Sequence, residues 1–223
     1  GKTIGVVEVE AVSADASEGR VLRKWDTIEP GYQAKEQTDG LGSWGIEGIF
    51  GTTPENYRLR FIGNYKPFHQ LGGAIFGDLG MVEDSRNDQD FHLGFGVDIN
   101  FRFIRTSPFS LGGVLSLPFD FHMRSDDEDS DGENHTVVLP IFSPRLGLQS
   151  EVMISPNLDM VFRAEYAIAS INLGDWSYSE DNENGDESTS IDAYWDEIIG
   201  PEPEIDYSGG INFTVGIRIL VFD

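Results

Sequence analysis

The chain has 223 residues, 39% of them hydrophobic, with 26 glycines, 10 prolines, no cysteine and a formal net charge of -24. That length suits one large β domain or two small ones. The acidity excludes nucleic acid, whose phosphates would be repelled, and the lack of cysteine excludes a disulfide scaffold or a thiolate metal site. No run of about 18 apolar residues offers a transmembrane helix, and no secretory leader is read, as expected of a mature or trimmed product.

The first forty residues form a predicted element of their own. Thr3 to Val12 alternates, Ala14 to Gly19 carries the turn, and Arg20 to Trp25 returns, which predicts a β-hairpin. Gly5-Val-Val-Glu-Val, Ser17-Glu-Gly-Arg-Val21 and Ile28-Glu-Pro-Gly31 together are similar to a hairpin module of periplasmic flagellar and envelope-assembly proteins. Tyr32 departs from that pattern, where an Asp commonly follows the Pro-Gly. The resemblance implies a periplasmic segment over residues 1–40, ending in a linker from Ala34, and a periplasmic or surface protein partner. The alternative is an ordinary hairpin that plugs or flanks the remaining domain, residues 41–223.

Eight segments of that domain alternate with a period of two, the signature of strands with one apolar and one polar face. In chain order their apolar sides begin at Trp44, Tyr57, Leu71, Phe91, Phe109, Val138, Leu158 and Ile211. The fourth is the clearest: Phe91, Leu93, Phe95, Val97, Ile99, Phe101 and Phe103 alternate with His92, Gly94, Gly96, Asp98, Asn100 and Arg102. The sixth, Val138 to Val152, is the least regular. Short connections (Lys66 to Gln70, Arg105 to Pro108, Ser155 to Asn157) alternate with a modest one at Thr52 to Asn56 and longer ones at Val82 to Asp90, Ser125 to His135 and about Gly174 to Asp206. An even number of strands with short turns at one end and long loops at the other predicts an all-β, eight-stranded antiparallel up-and-down transmembrane barrel, with both termini at the short-turn, periplasmic end.

The polar face decides between a membrane barrel and a soluble barrel such as a ligand carrier. It is rich in glycine, and it holds Arg58, Arg60, Arg102, Arg145, Arg163 and Arg218 beside Glu47, Asp98, Asp120, Glu151, Asp159 and Glu165. Balanced charge on one face of a strongly acidic chain predicts a salt-bridged, plugged lumen, with the apolar face turned to lipid. Trp44, Tyr57, Tyr65, Trp176 and Tyr207, near strand ends, are expected in interfacial girdles.

The C-terminal run Asn212-Phe-Thr-Val-Gly-Ile-Arg-Ile-Leu-Val-Phe222 resembles the last strand of bacterial outer-membrane β-barrel proteins, with Thr214, Gly216, Ile219, Val221 and Phe222 matching its assembly signal. Asp223 departs from it, since such chains often stop on the aromatic. The resemblance implies the small eight-stranded class in a Gram-negative outer membrane, delivered by the barrel assembly machinery and surrounded by lipid and lipopolysaccharide.

Of the 39 acidic residues, 22 fall in the three longer loops, against Arg86 as the one base there. Solvation accounts for such loops, and Asp127-Glu-Asp129-Ser-Asp131-Gly132 also matches the start of an EF-hand calcium loop. Val138 stands where that motif needs its last glutamate, so Ca2+ at Asp127, Asp129 and Asp131 is one expectation and bridging to lipopolysaccharide phosphates through divalent ions another. Apart from this no cofactor is expected. Within the last loop, Ser190 to Ile199 is apolar enough to fold back over the barrel mouth. Pairing about the turn at 105–108 sets His92 opposite Asp120 or His122 near the outer rim, where two imidazoles and a carboxylate suit a metal ion or an acid–base pair. No serine–histidine spacing like that of barrel deacylases accompanies them. A structural, anchoring role without catalysis is therefore the expected function.

Overall fold

The structure is a computed structural model; it describes residues 5–12, 17–24, 27, 29, 41–66, 71–83, 89–106, 108–126, 135–155, 157–174, 177–180 and 205–221. Strands β1 (Gly5–Val12) and β2 (Ser17–Lys24) make a two-stranded antiparallel sheet of their own. The remaining strands form a closed barrel. β3 (Leu41–Thr52), β4 (Glu55–Lys66), β5 (Leu71–Glu83), β6 (Gln89–Thr106) and β7 (Phe109–Asp126) are paired in order. They are followed by β8 (His135–Phe142) with β9 (Arg145–Ser155), then β10 (Leu158–Ala167) and, after two short strands, β13 (Ile211–Val221). β13 returns to β3, with Gly216 opposite Glu47, and this pairing closes the ring.

β8 and β9 are one barrel strand interrupted at Ser143-Pro144. β7 pairs its C-terminal half with β8 (Phe119 opposite Phe142) and its N-terminal half with β9 (Ser116 opposite Arg145), in one continuous register. Pro144 and Pro118 face this break, and a proline has no N–H to give a ladder. β8 is also apolar on both faces, because Val137, Leu139 and Ile141 turn inward and are buried, which is why this segment alternates least clearly in the sequence. Beyond the ring, β11 (Ile171–Asn172) and β12 (Ser177–Glu180) extend the wall beside β8.

Outside β8, the parity of the barrel strands puts the charged side chains inside and most of the large apolar ones outside. Phe95 is 55% exposed and Phe119 39%, whereas Arg163 is 3% exposed and Arg60 fully buried. A soluble carrier would show the inverse. A water-soluble protein does not leave a continuous apolar wall of this extent uncovered; hydrocarbon is the solvent that suits it. From Tyr57 to Tyr65, both on the exterior, β4 spans about 27 Å of strand and about 20 Å along the axis at the usual tilt, close to the thickness of an outer-membrane apolar band. Trp44 joins Tyr65 at the short-turn end. Its indole lies flat over Gly63, where an added Cβ would stand 2.7 Å from Cζ3, so glycine is needed at that position.

Tyr207 corrects the expected aromatic girdle: it is fully buried inside the barrel and not on the exterior. Trp176 lies outside the described residues.

Val97 sits midway along β6, opposite Ile75 and Leu117, with its side chain on the exterior. Val97→Arg is expected to lower unfolding stability by about 2–4 kcal/mol, the cost of an arginine at the bilayer midplane, measured by urea titration in lipid vesicles.

Candidate functional site: the charged lumen

The inward positions form three tiers of polar side chains. Nearest the short turns, Glu151 of β9 accepts from Arg102 of β6, and Gln149 Nε2 donates to its Oε1 at 2.9 Å. Arg218 of β13 reaches the same Oε1 at 2.9 Å and donates to Glu47 Oε1 from Nη2 at 2.6 Å, tying β9 to β3 across the lumen.

The middle tier is built on Arg163 and Arg60. Arg163 Nη1 donates to Asp98 Oδ2 at 2.7 Å and Nη2 to Gln149 Oε1 at 2.8 Å, with Glu165 Oε1 at 3.7 Å. Arg60 grips Asp78 with a two-pronged fork, Nε to Oδ1 at 2.7 Å and Nη2 to Oδ2 at 2.9 Å, and its guanidinium lies 3.7 Å from the centroid of the Phe76 ring. Such forks hold guanidinium and carboxylate planes together and are the strong form of ion pair.

The tier farthest from the short turns carries the histidines. Ser143 Oγ donates to Asp120 Oδ2 at 2.6 Å, Arg145 Nη2 to the same oxygen at 3.1 Å and to Ser143 Oγ at 2.9 Å. Arg58 donates to Asn56 Oδ1 at 2.9 Å and Asn212 Oδ1 at 3.0 Å, and lies 3.4 Å from Asp78. His92 stands opposite His122 in the ladder, the second of the two pairings that the turn allows, and their ring centroids are 5.3 Å apart. Tyr207, from the segment entering β13, places its hydroxyl 3.1 Å from His122 Nε2 and its ring 5.3 Å from the Arg145 guanidinium carbon. Around it Ile205, Val82, Val137, Leu139, Ile141 and Ala167 form a small apolar cluster at the same end of the barrel.

Arg58, Arg60, Asp98, Arg102, Asp120, Arg145, Glu151, Arg163, Glu165 and Arg218 all face this lumen. Thr214 and Gly216 also point inward, and Ile219 outward; Val221 pairs with Gly42 in the last rung, while Phe222 lies outside the described residues. Asp127, Asp129 and Asp131 lie outside them too, as does the stretch 190–199. Three functional side chains escape the sequence reading. Asp78 has inward parity on β5, a signal that was legible, yet its place between Arg60, His92 and Asp120 depends on strand order. Asp90 counts in the sequence as a loop acid but is buried against Arg124, with Nε 2.6 Å from Oδ1. Tyr207 carries no periodic signal.

With this geometry in hand, the fold can be compared with known proteins. No known protein family and no curated protein matches the sequence. Among solved structures, a major outer membrane protein from Thermus thermophilus is similar in fold, with a TM-score of 0.50 at 12% identity over 82% of this chain and 99% of that one. The chain has the fold of an eight-stranded outer-membrane barrel. Neisserial surface protein A, at a TM-score of 0.43 and 13% identity, covers 80% of this chain and 95% of its own. At 12% identity the likeness to the Thermus protein concerns the barrel fold alone; lumen chemistry has to be read from this chain.

Removing one partner of a buried pair leaves an uncompensated charge. Asp78→Ala, which orphans the Arg60 fork, is expected to cost about 3–5 kcal/mol of unfolding stability. Ser110→Ala, which removes a single 3.4 Å contact to Glu151, should cost less than about 1 kcal/mol by the same urea titration.

Proposed function

We propose that the protein is a non-conducting structural anchor of a diderm bacterial outer membrane, displaying acidic loops on the cell surface and holding its N-terminal segment in the periplasm. The observation that carries this reading is the filling of the lumen. Three tiers of paired side chains cross it, and Ile205 and Tyr207 enter its outer mouth. Eight strands already leave room for little more than side chains. A barrel of this design serves as a stiff post, with what it presents at its two ends as the working parts.

At the inner end that part is the hairpin β1–β2. A lone two-stranded sheet is marginal in water, and a periplasmic or surface protein partner would give it a surface to fold on. At the outer end it is the acidic loops. Asp127, Asp129 and Asp131, with their neighbours, suit Ca2+ or divalent ions bridging to lipopolysaccharide phosphates. The polar-to-apolar alternation of Thr214, Gly216, Ile219, Val221 and Phe222 suits recognition by the barrel assembly machinery.

Two measurements test the reading. The natural chain has no cysteine, so single cysteines report cleanly. In whole cells, an impermeant maleimide is expected to label Ser130→Cys in the third outer loop, and Asn157→Cys in the β9–β10 turn only after the outer membrane is permeabilised. The reverse pattern would invert the orientation. In planar bilayers the purified barrel is expected to give no discrete conductance steps; a reproducible open level would remove the filled-lumen reading.

A further inference from the structure

We propose that Asp78, His92 and Asp120 form a site, just inside the outer mouth, for one divalent metal ion of the later first transition row that binds imidazole, such as Zn2+, Ni2+ or Cu2+. The three residues come from the adjacent strands β5, β6 and β7. One ligand atom from each lies within 4.8 Å of the other two. All three side chains are buried, Asp78 at 1% and His92 and Asp120 at 0% exposure.

The donors are unevenly used, and the unused ones converge. Neither ring nitrogen of His92 makes a hydrogen bond, and Asp120 Oδ1 makes none either. His92 Nε2 and Asp120 Oδ1 face each other at 3.5 Å, beyond good hydrogen-bond length for a buried pair. Polar groups in such a place normally find partners, because leaving one unmet costs about 1–3 kcal/mol. The space beside them is held open by Gly94. A Cβ there would stand 2.8 Å from Asp120 Oδ1 and 3.0 Å from His92 Nε2, closing the gap.

Local charge selects the kind of ion. Arg60 forks Asp78, Arg58 lies 3.4 Å from it, and Arg145 lies 3.1 Å from Asp120 Oδ2. These guanidiniums already neutralise the carboxylates, so a hard ion such as Ca2+, which needs six or more oxygens and excess negative charge, gains little. An ion that prefers imidazole nitrogen gains from His92 itself, with Asp120 Oδ1 as the open oxygen. His122, the partner that spacing alone suggests, has Nε2 engaged by Tyr207 and only Nδ1 open, and it stands outside the cluster of three. The three ligands are fully buried and Ile205 and Tyr207 belong to the apolar cluster at the same end of the barrel, so metal is best supplied while the barrel refolds.

The full chain is refolded into detergent micelles with one equivalent of Cu2+ and washed, and bound copper is counted and examined by electron paramagnetic resonance. One ion per chain with hyperfine splitting from a single nitrogen is expected, undisplaced by a thousandfold excess of Ca2+. The Ca2+ arm separates the lumen from the carboxylates of the acidic loops, and His135→Gln, which removes the one imidazole of those loops, is expected to leave the splitting unchanged. His92→Gln should abolish the nitrogen splitting and weaken binding at least tenfold, whereas His122→Gln should leave both unchanged. Retained heat-modifiable gel mobility shows that each variant is folded. If His92→Gln fails to fold, the splitting and its resistance to Ca2+ in the wild type and in His135→Gln decide together. Copper held by oxygen only, the absence of stoichiometric binding, or nitrogen splitting that survives in His92→Gln overturns the proposal.

Discussion

A guanidinium inside a barrel of eight strands cannot be solvated, so it must meet a carboxylate on another strand, and the rest of this structure follows from that demand. The cost of desolvating each ion is several kcal/mol, repaid only where geometry and additional hydrogen bonds are good. The pairs here join neighbouring strands and also reach across the lumen between strands far apart in sequence. Arg218 of β13 meets Glu47 of β3 and Glu151 of β9, Arg163 of β10 meets Asp98 of β6, and Arg60 of β4 meets Asp78 of β5. Each pair favours one strand order and one register over any other, because a slip by a single residue would carry the arginine out into the apolar wall.

The exterior makes the complementary demand. Its side chains gain nothing from packing on one another, since lipid is as apolar as they are; what they require is that no backbone group faces hydrocarbon unpaired, which closure of β13 on β3 provides. The aromatic rings that do touch, such as Phe95 with Phe119 and Phe121 at 5.8 Å, cover the wall between β6 and β7. The ion pairs inside and the closed ladder around them thus specify a single arrangement from both sides.

At the end opposite the short turns these rules relax, and the distinctive chemistry sits there. There His92, His122 and Asp120 each keep a buried polar atom without a hydrogen bond, and β8 is apolar on both faces where it leaves the ring. Ile205 and Tyr207 complete the wall that β8 begins. The same segment that closes the mouth also engages His122 and so distinguishes two histidines that the sequence presents as equivalent.

The period-two pattern by itself determined the strands, their even number, the end at which the long loops lie and which side chains face inward, because side-chain parity is a local property of an extended chain. It also identified His92, His122 and Asp120 as neighbours, since they share one hairpin with a short turn. Tertiary structure alone decided three things: that Asp78 joins His92 and Asp120, that Asp90 turns in to Arg124 and leaves the acidic loops, and that Tyr207 enters the lumen. The first needs the register of β5 against β6, the second the extension of β6 and β7 beyond their periodic stretch, and the third the path of a segment with no periodicity. The irregular β8–β9 strand shows the same boundary. Its parity is readable below Pro144 and lost above it, where apolar residues on both faces are sorted by the cluster around Ile205 and not by the chain itself.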